Sequence, residues 1–404
     1  MSPRVLVTDA ARGCAIAVIR SLGRRGIDVI AADSEGRSPG FYSRYASDRL
    51  RYPPPRTDPE GAVRTLLHAA RQRRVDLIVP VTEEMVLLLS EARDRFAGIS
   101  ALALPERDAY ARTRDKLATL ELARKTGVPA PGTQLVTTRR EALAAASSLG
   151  WPVVVKPRSA SIFRDSGLVE LYEVSYAENA QELGKQMSRL EGRSEVLLQE
   201  YYPGEGHGVE LILERGRPLA AFQHRRLREV PVTGGASSFR ESVPLDPVLY
   251  DYAVRLLDTL QWTGLAMVEF KLGEQGPRLM EINGRIWGSL PLAVKSGMDF
   301  PGRMVDLYLG SSSARNGSPD TDYVLGVRSH NLDLEVIWIG SALRGRRARR
   351  LVHAPGRRDA LSAALSILNP RGGFDVLSRD DPRPGLVELL RIGRKLRRKV
   401  GLGQ

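Results

Sequence analysis

The chain has 404 residues, 42% hydrophobic and 26% charged, which is an ordinary composition for a soluble globular protein and too long for one simple core. Its longest apolar runs, such as "VLLL" and "PVVV", are far too short to span a bilayer, and "MSPRVLVTDAARG" enters a strand with no signal-like apolar stretch. The single cysteine, Cys14, excludes an internal disulfide and a cysteine-rich metal site, so a reducing, cytoplasmic setting is expected.

The net charge of +13 suggests nucleic acid until it is located. Residues 341–404 hold 16 Arg plus Lys against 5 Asp plus Glu, a local +11, which leaves about +2 for the other 340 residues. The body is nearly neutral and the basicity belongs to the C-terminal part.

Along the chain, "RVLVTDA" reads as a buried strand, "AIAVIRSLGRRG" as a helix and "IDVIAADS" as a second strand. "EGAVRTLLHAARQRR", "VDLIVPV" and "EEMVLLLSEARDRF" continue as helix, strand and helix, the alternation of a parallel sheet covered by helices. "LATLELARKTGVPAPG" is a helix stopped by Gly127, and "REALAAASSLG" a helix leading into the strand "WPVVVKP". "LVELYEVS", "AENAQELGKQMSRLE" and "EVLLQEYY" follow as strand, helix and strand. "GVELILERGRPLAAFQHRRL" is a hairpin turning at Arg215–Gly216. Then come a loop containing "TGGASSF", the helix "DPVLYDYAVRLLDTLQ", and the strands "GLAMVEFKL" and "PRLMEINGR" joined by "GEQG".

Those last two strands carry the sharpest signal. Glu281, Asn283 and Arg285 recur at every second position, so their side chains share one face. If the hairpin pairs Leu272 with Arg278, Glu269 lies opposite Glu281 and Met267 opposite Asn283. Two carboxylates facing each other among apolar residues repel, and a divalent cation with hard oxygen ligands removes the conflict. Slipping the register by one residue would take Glu269 out of the site.

This segment resembles the metal-binding hairpin of the ATP-grasp superfamily, especially its carboxylate–amine ligases akin to carbamoyl phosphate synthetase and biotin carboxylase, and the resemblance runs over residues 1 to about 310. It implies a fold of α/β and α+β type, with a Rossmann-like domain over 1–111 and a two-lobed ATP-grasp domain over 112–310. The central lobe, about 117–198, would be mobile and close over the nucleotide, and 311–404 would be a basic extension. The resemblance implies ATP and Mg²⁺ (or Mn²⁺) as cofactors, with Glu269, Glu281 and Asn283 as metal ligands and Arg285 on phosphate or acyl phosphate. Lys116 in "TRDKLATLELARKTGVPAP" and Lys156 in "WPVVVKP" would face phosphates, as suits a desolvated lysine at the end of an apolar strand. In "LLQEYYPGEGHGVEL", Glu200, Tyr201 and Tyr202 would meet the adenine, with either Glu205 or His207 at the ribose. The segment "FQHRRLREVPVTGGASSFRES" would line the acyl end, with Arg226 and above all Arg240 as catalytic candidates. "PVTEEMVLLL" sets Glu83 and Glu84 where relatives contact substrate.

The expected reaction is ATP-dependent activation of a small-molecule carboxylate as an acyl phosphate, with release of ADP, followed by amine attack to give an amide or peptide bond. The rival readings are a carboxylase or kinase on the same fold and a nucleotide-binding regulatory or membrane-tethered protein without turnover. A dinucleotide site fails, because "TDAARGCAIA" has one glycine where three are needed. The arginine-rich tail combines apolar and basic positions, fitting peripheral contact with an anionic membrane on its cytoplasmic face, an acidic partner, or a solvated basic extension whose helices pack onto the body. Its shortage of aromatics argues against nucleic acid. A homo-oligomer is left open.

Overall fold

A computed structural model of the chain describes residues 2–158, 161–163, 169–171, 174–190, 195–232, 234–310, 318–344, 355–369 and 373–400. At the N-terminus the strands β1 (Arg4–Val7), β2 (Asp28–Asp33), β3 (Asp48–Arg51), β4 (Leu77–Val79) and β5 (Ala101–Leu102) form a parallel sheet in the order β3-β2-β1-β4-β5. The central strands "RVLV" and "LIV" are uniformly apolar after Arg4 because helices cover both faces. Those helices are α1 (Gly13–Arg24), α2 (Pro59–Gln72) and α3 (Glu83–Glu91), with α4 (Arg107–Arg114) closing the domain. Asp58 caps α2 through the Gly61 amide at 2.8 Å and Thr82 caps α3 through Met85 at 3.3 Å. The edge strands β3 and β5 were not expected: the first buries only Leu50 and the second has two residues, too little for a hydrophobic period.

After α5 (Lys116–Thr126), ended by Gly127 at φ 67°, comes a small lobe. Its strands β6 (Thr133–Val136), β7 (Val153–Pro157), β10 (Ser175–Ala177) and β11 (Val196–Glu200) lie in the order β10-β7-β11-β6. The helices α6 (Arg139–Leu149) and α7 (Ala180–Leu190) cover it and share a core of its own around Val153, Val155, Leu183, Met187 and Leu198. The strand expected over "LVELYEVS" divides into β9 (Val169–Leu171), which pairs with β8 (Ser161–Phe163), and β10, with residues 172 and 173 outside the described residues.

The large lobe is one sheet in the order β16-β15-β12-β13-β14-β17-β18. It contains β12 (Glu205–Glu214), β13 (Arg217–Val230), β14 (Ala236–Ser242), β15 (Gly264–Gly273), β16 (Gly276–Asn283), β17 (Arg328–His330) and β18 (Gly373–Phe374). The β12–β13 turn falls at Arg215–Gly216 as the sequence implied, with φ 48° and 79°, the positive pair of a two-residue hairpin turn. The "TGGASSF" loop is shorter than expected, since Ala236 onward pairs with β13. The helix α8 (Pro247–Thr259), through Leu256 and Leu257, and Trp262 just after it share a core with the first domain. α9 (Leu290–Lys295) and α10 (Phe300–Tyr308) join it to the β1 core through Leu290 and Phe300.

The sheet continues past residue 310. β17 and β18 extend its edge, α11 (Leu332–Arg344) and α12 (Arg357–Leu368) pack together through Trp338 and Ala363, and α13 (Pro382–Val400) returns to the N-terminal domain. Asp381, 1% exposed, fastens that return: it accepts from Arg20 Nε at 2.9 Å, Ser43 Oγ at 2.7 Å and the Arg44 amide at 2.9 Å. Removing one partner of a buried ion pair strands the other charge. Asp381→Ala should therefore lower unfolding free energy by about 3–5 kcal/mol. Denaturant titration of the full chain checks this, and an unchanged midpoint would refute it.

Candidate functional site

The β15–β16 hairpin sets Glu269 opposite Glu281 and Met267 opposite Asn283. Towards the turn, however, Leu272 pairs with Pro277 and Lys271 with Arg278, one residue away from the expected Leu272–Arg278 pairing. A bulge at Met280 absorbs the difference and restores the facing acids. Asn283 Nδ2 donates to Glu269 Oε1 and to Glu281 Oε1, both at 2.9 Å. From β13, Arg226 pairs with Glu269, lies 3.1 Å from Glu229 Oε1 and donates to the Gly235 carbonyl at 2.9 Å.

Burial pushes Glu269 up to about 7, Arg226 opposes, and Glu281 adds to the rise. Glu281 lies on the cavity wall. Burial would raise it too, but the Asn283 hydrogen bond and the charges of Arg226, Lys156 and Arg285 bring it below its ordinary value. The residues fit a hard divalent cation. Two carboxylates and the Asn283 carbonyl, available by a half-turn of its amide, supply three oxygens. Among the described residues no group of three or more His, Cys, Asp or Glu could hold a metal ion, so further ligands must come from phosphates or water, as Mg²⁺ commonly accepts.

A cavity of about 390 Å³ between the lobes is lined by Lys156, Glu200, Tyr201, Tyr202, Arg226, Glu269, Glu281, Asn283 and Arg285. Lys156 ends an apolar strand, and burial pulls its ammonium down to about 8 while Glu281 opposes. Lys116, at the start of α5, lines an adjoining space of about 90 Å³ with Lys156, Glu281 and Arg285; burial lowers its pKa as well.

Besides Lys116, three expected residues are not brought to this cavity. Arg240 is 1% exposed, with Nη2 2.5 Å from each Asp375 carboxylate oxygen, and it ties β14 to the segment after β18. His207 is buried with Nε2 2.8 Å from Glu205 Oε1 and Nδ1 3.1 Å from Gln223 Nε2, and neither His207 nor Glu205 lines the cavity. Glu229 and Lys271 line it instead, the Lys271 ammonium 5.4 Å from the Tyr201 ring centre. Lys271 was legible, two residues after Glu269 on the same face; Glu229 was not, because β13 is irregular on both sides of Arg228. The same irregularity turns Arg228 away to Glu335 at 2.6 Å.

A third cavity, about 570 Å³, opens at the carboxyl ends of β1, β2 and β4, where the strand order reverses. Such a switch point is where open α/β sheets bind ligands. Its walls include Asp9, Arg12, Asp33, Arg56, Thr82, Glu83 and Glu84. Glu83 pairs with Arg114 at 2.8 Å and Glu84 with Arg56 at 3.3 Å. Asp9 is held by neutral donors, Thr8 Oγ1 at 2.8 Å and Tyr52 OH at 3.1 Å. Arg285 lines all three cavities; it donates to the Ile286 carbonyl at 2.9 Å and makes no ion pair among the described residues.

His224 lines the cavity between the lobes, with its Nδ1 3.0 Å from Glu210 Oε1, and that oxygen accepts from Ser289 Oγ at 2.9 Å. The imidazole lies over Gly208, where a Cβ would come 2.4 Å from His224 Cε1. Burial drives both groups to their neutral forms, raising Glu210 to about 8 and holding His224 well below its ordinary value. A carboxyl raised this way favours the folded state below its unfolded pKa, and that contribution is lost as pH rises through about 8. Glu210→Gln should therefore gain on the wild type, by on the order of 1 kcal/mol or more, between pH 5 and pH 8. Thermal midpoints at the two pH values test this; a pH-independent difference would contradict it.

A family model described as ATP-grasp in the biosynthetic pathway with Ter operon matches residues 193–331, the stretch that carries the hairpin and most of the large sheet. Among solved structures, N5-carboxyaminoimidazole synthetase from Staphylococcus aureus is 13% identical with a TM-score of 0.62, over 85% of this chain and 87% of that one. The biotin carboxylase domain of 2-oxoglutarate carboxylase from Hydrogenobacter thermophilus, solved with MgADP and bicarbonate, is 18% identical with a TM-score of 0.61, over 81% and 73%. L-amino acid ligase from Bacillus licheniformis is 16% identical with a TM-score of 0.56, over 76% and 74%. The chain shares the fold of these structures, and its residues 193–331 match the ATP-grasp family model.

Proposed function

We propose that the protein is an ADP-forming ligase that joins a small-molecule carboxylate to an amine. The observation that carries this reading is the place of Arg285, an unpaired guanidinium where the cavity beside the facing acids meets the cavity of the N-terminal domain. ATP would lie between the lobes, its adenine against Glu200, Tyr201 and Tyr202 and its phosphates along Lys156 and Lys116. Glu229 and Lys271, which line the cavity, would meet the sugar in place of Glu205 and His207, which do not line it. Glu269, Glu281 and Asn283 would hold Mg²⁺, which would draw charge from the transferring phosphoryl group.

A carboxylate substrate held in the N-terminal cavity would present one oxygen to the γ-phosphorus beside Arg285. The bond from that phosphorus to the bridging oxygen breaks, ADP leaves, and the acyl phosphate forms. The amine then attacks the acyl carbon, loses a proton and expels phosphate. The chain supplies position and charge, with no covalent nucleophile. Arg226 would act by holding Glu269 in place, and Arg240 by holding β14. Excluding water matters because the acyl phosphate would otherwise hydrolyse.

Purified protein incubated with Mg²⁺-ATP and a panel of amino acids and small carboxylates should release ADP and phosphate only when both substrates are present. Arg285→Met should lower that rate by roughly 10²-fold or more while leaving ATP binding. AMP as product would overturn the mechanism, and unchanged turnover in the variant would remove Arg285 from it.

A further inference from the structure

A surface helix normally buries its apolar stripe. In α13 the leucines are left exposed, while the side towards the body carries part-buried Glu388 and Arg391 with buried Ile392. Arg391 Nη2 lies 2.9 Å from Glu35 Oε2, Lys395 Nζ 2.5 Å from Asp333 Oδ2, and Glu388 lines the recess beneath with them. Ile392 is the buried apolar residue of that face. The leucines turn outward: Leu386, Leu389, Leu390 and Leu396 are between 43% and 62% exposed. Their spacing of three, four and seven residues puts them on one stripe. Exposed Arg383, Arg394 and Arg397 border it. α12 repeats the pattern, with Leu361, Leu365 and Leu368 between 59% and 76% exposed and Arg357 and Arg358 exposed at its start.

We infer that the outward face of α13 is a docking surface for an anionic phospholipid membrane. Charge selects this occupant. Residues 382–400 carry seven Arg plus Lys against one Glu, a net +6. A second copy of the chain would bring an identical +6 helix against the first, and like charges across an interface are unfavourable. A lipid surface supplies both complements, anionic headgroups for the arginines and an acyl boundary for the leucines. Among the described residues no helix is long and apolar enough to cross a membrane, so α13 lies on the surface. The inward ion pairs and the Asp381 anchor hold the helix in this orientation before any lipid is met. The recess under α13 shares Arg12 and Glu35 with the cavity of the N-terminal domain, so docking would bring that cavity close to the bilayer.

Full-length protein should float with phosphatidylcholine vesicles containing phosphatidylglycerol and stay behind with pure phosphatidylcholine vesicles. High salt should weaken binding, because the arginine contribution is screened. A triple variant, Leu386→Gln with Leu390→Gln and Leu396→Gln, and a double variant, Arg394→Glu with Arg397→Glu, should each lose binding by roughly tenfold or more at an unchanged thermal midpoint. Three results would overturn the inference: equal recovery with both vesicle types, variants that float as well as the wild type, or vesicle-independent protein whose leucine variants turn a concentration-dependent dimer into a monomer. The last would assign the face to a second copy.

Discussion

Two carboxylates held face to face on a hairpin are the constraint around which the site is organised. Glu269 and Glu281 are opposed by backbone pairing, which neither side chain can relax without breaking the sheet. The surrounding residues compensate. Arg226 takes one carboxylate, Asn283 bridges both, and Lys156 approaches across the cleft from the other lobe. The pair divides its protonation, with Glu269 raised and Glu281 lowered, as expected where like charges share one place. A site already crowded with negative charge gains by taking up a cation that arrives with its own phosphates.

The rest of the architecture serves that pair. The central strands of the large sheet fix β15 between β12 and β16, so Glu210 and Met267 form a floor beneath the acids. The small lobe contributes β7, β10 and β11, which place Lys156, Tyr176 and Glu200 on the opposite wall. The N-terminal sheet turns its carboxyl edge towards Arg285, so the cavity between the lobes and the cavity of the N-terminal domain meet at one guanidinium. Segments late in the chain reach the site as well: Asn331 lines the cavity, and Asp375 neutralises Arg240 behind it.

What was legible in the sequence was whatever depends on local period. The alternation of Glu281 and Asn283, the apolar strand carrying Lys156, the helix stopped by Gly127 and the turn at Arg215–Gly216 all follow from neighbours in sequence. The strand expected to reach Arg285, however, ends at Asn283. Lys156, Glu200, Tyr201 and Tyr202, which the resemblance singled out, line one cavity. What was not legible depends on irregularity or distance. The bulge at Met280 cannot be read from alternation, yet it decides the register at the turn. Arg226, Arg228 and Arg240 look equivalent as sequence. Strand irregularity and the distant partners Glu335 and Asp375 send one to the cavity and bury the other two in ion pairs. The orientation of α13 was hidden for the same reason: its composition shows an amphipathic helix, and only Glu35 and Asp333, hundreds or tens of residues away, show which face turns in.

The central claim is that the facing acids and Asn283 bind a divalent cation together with nucleotide. Electron paramagnetic resonance of Mn²⁺ added with a non-hydrolysable ATP analogue tests it most directly. The account predicts an immobilised Mn²⁺ signal that requires both protein and nucleotide and disappears in Glu281→Gln. Mn²⁺ that stays free in the ternary mixture, or an immobilised signal unchanged in that variant, would contradict it.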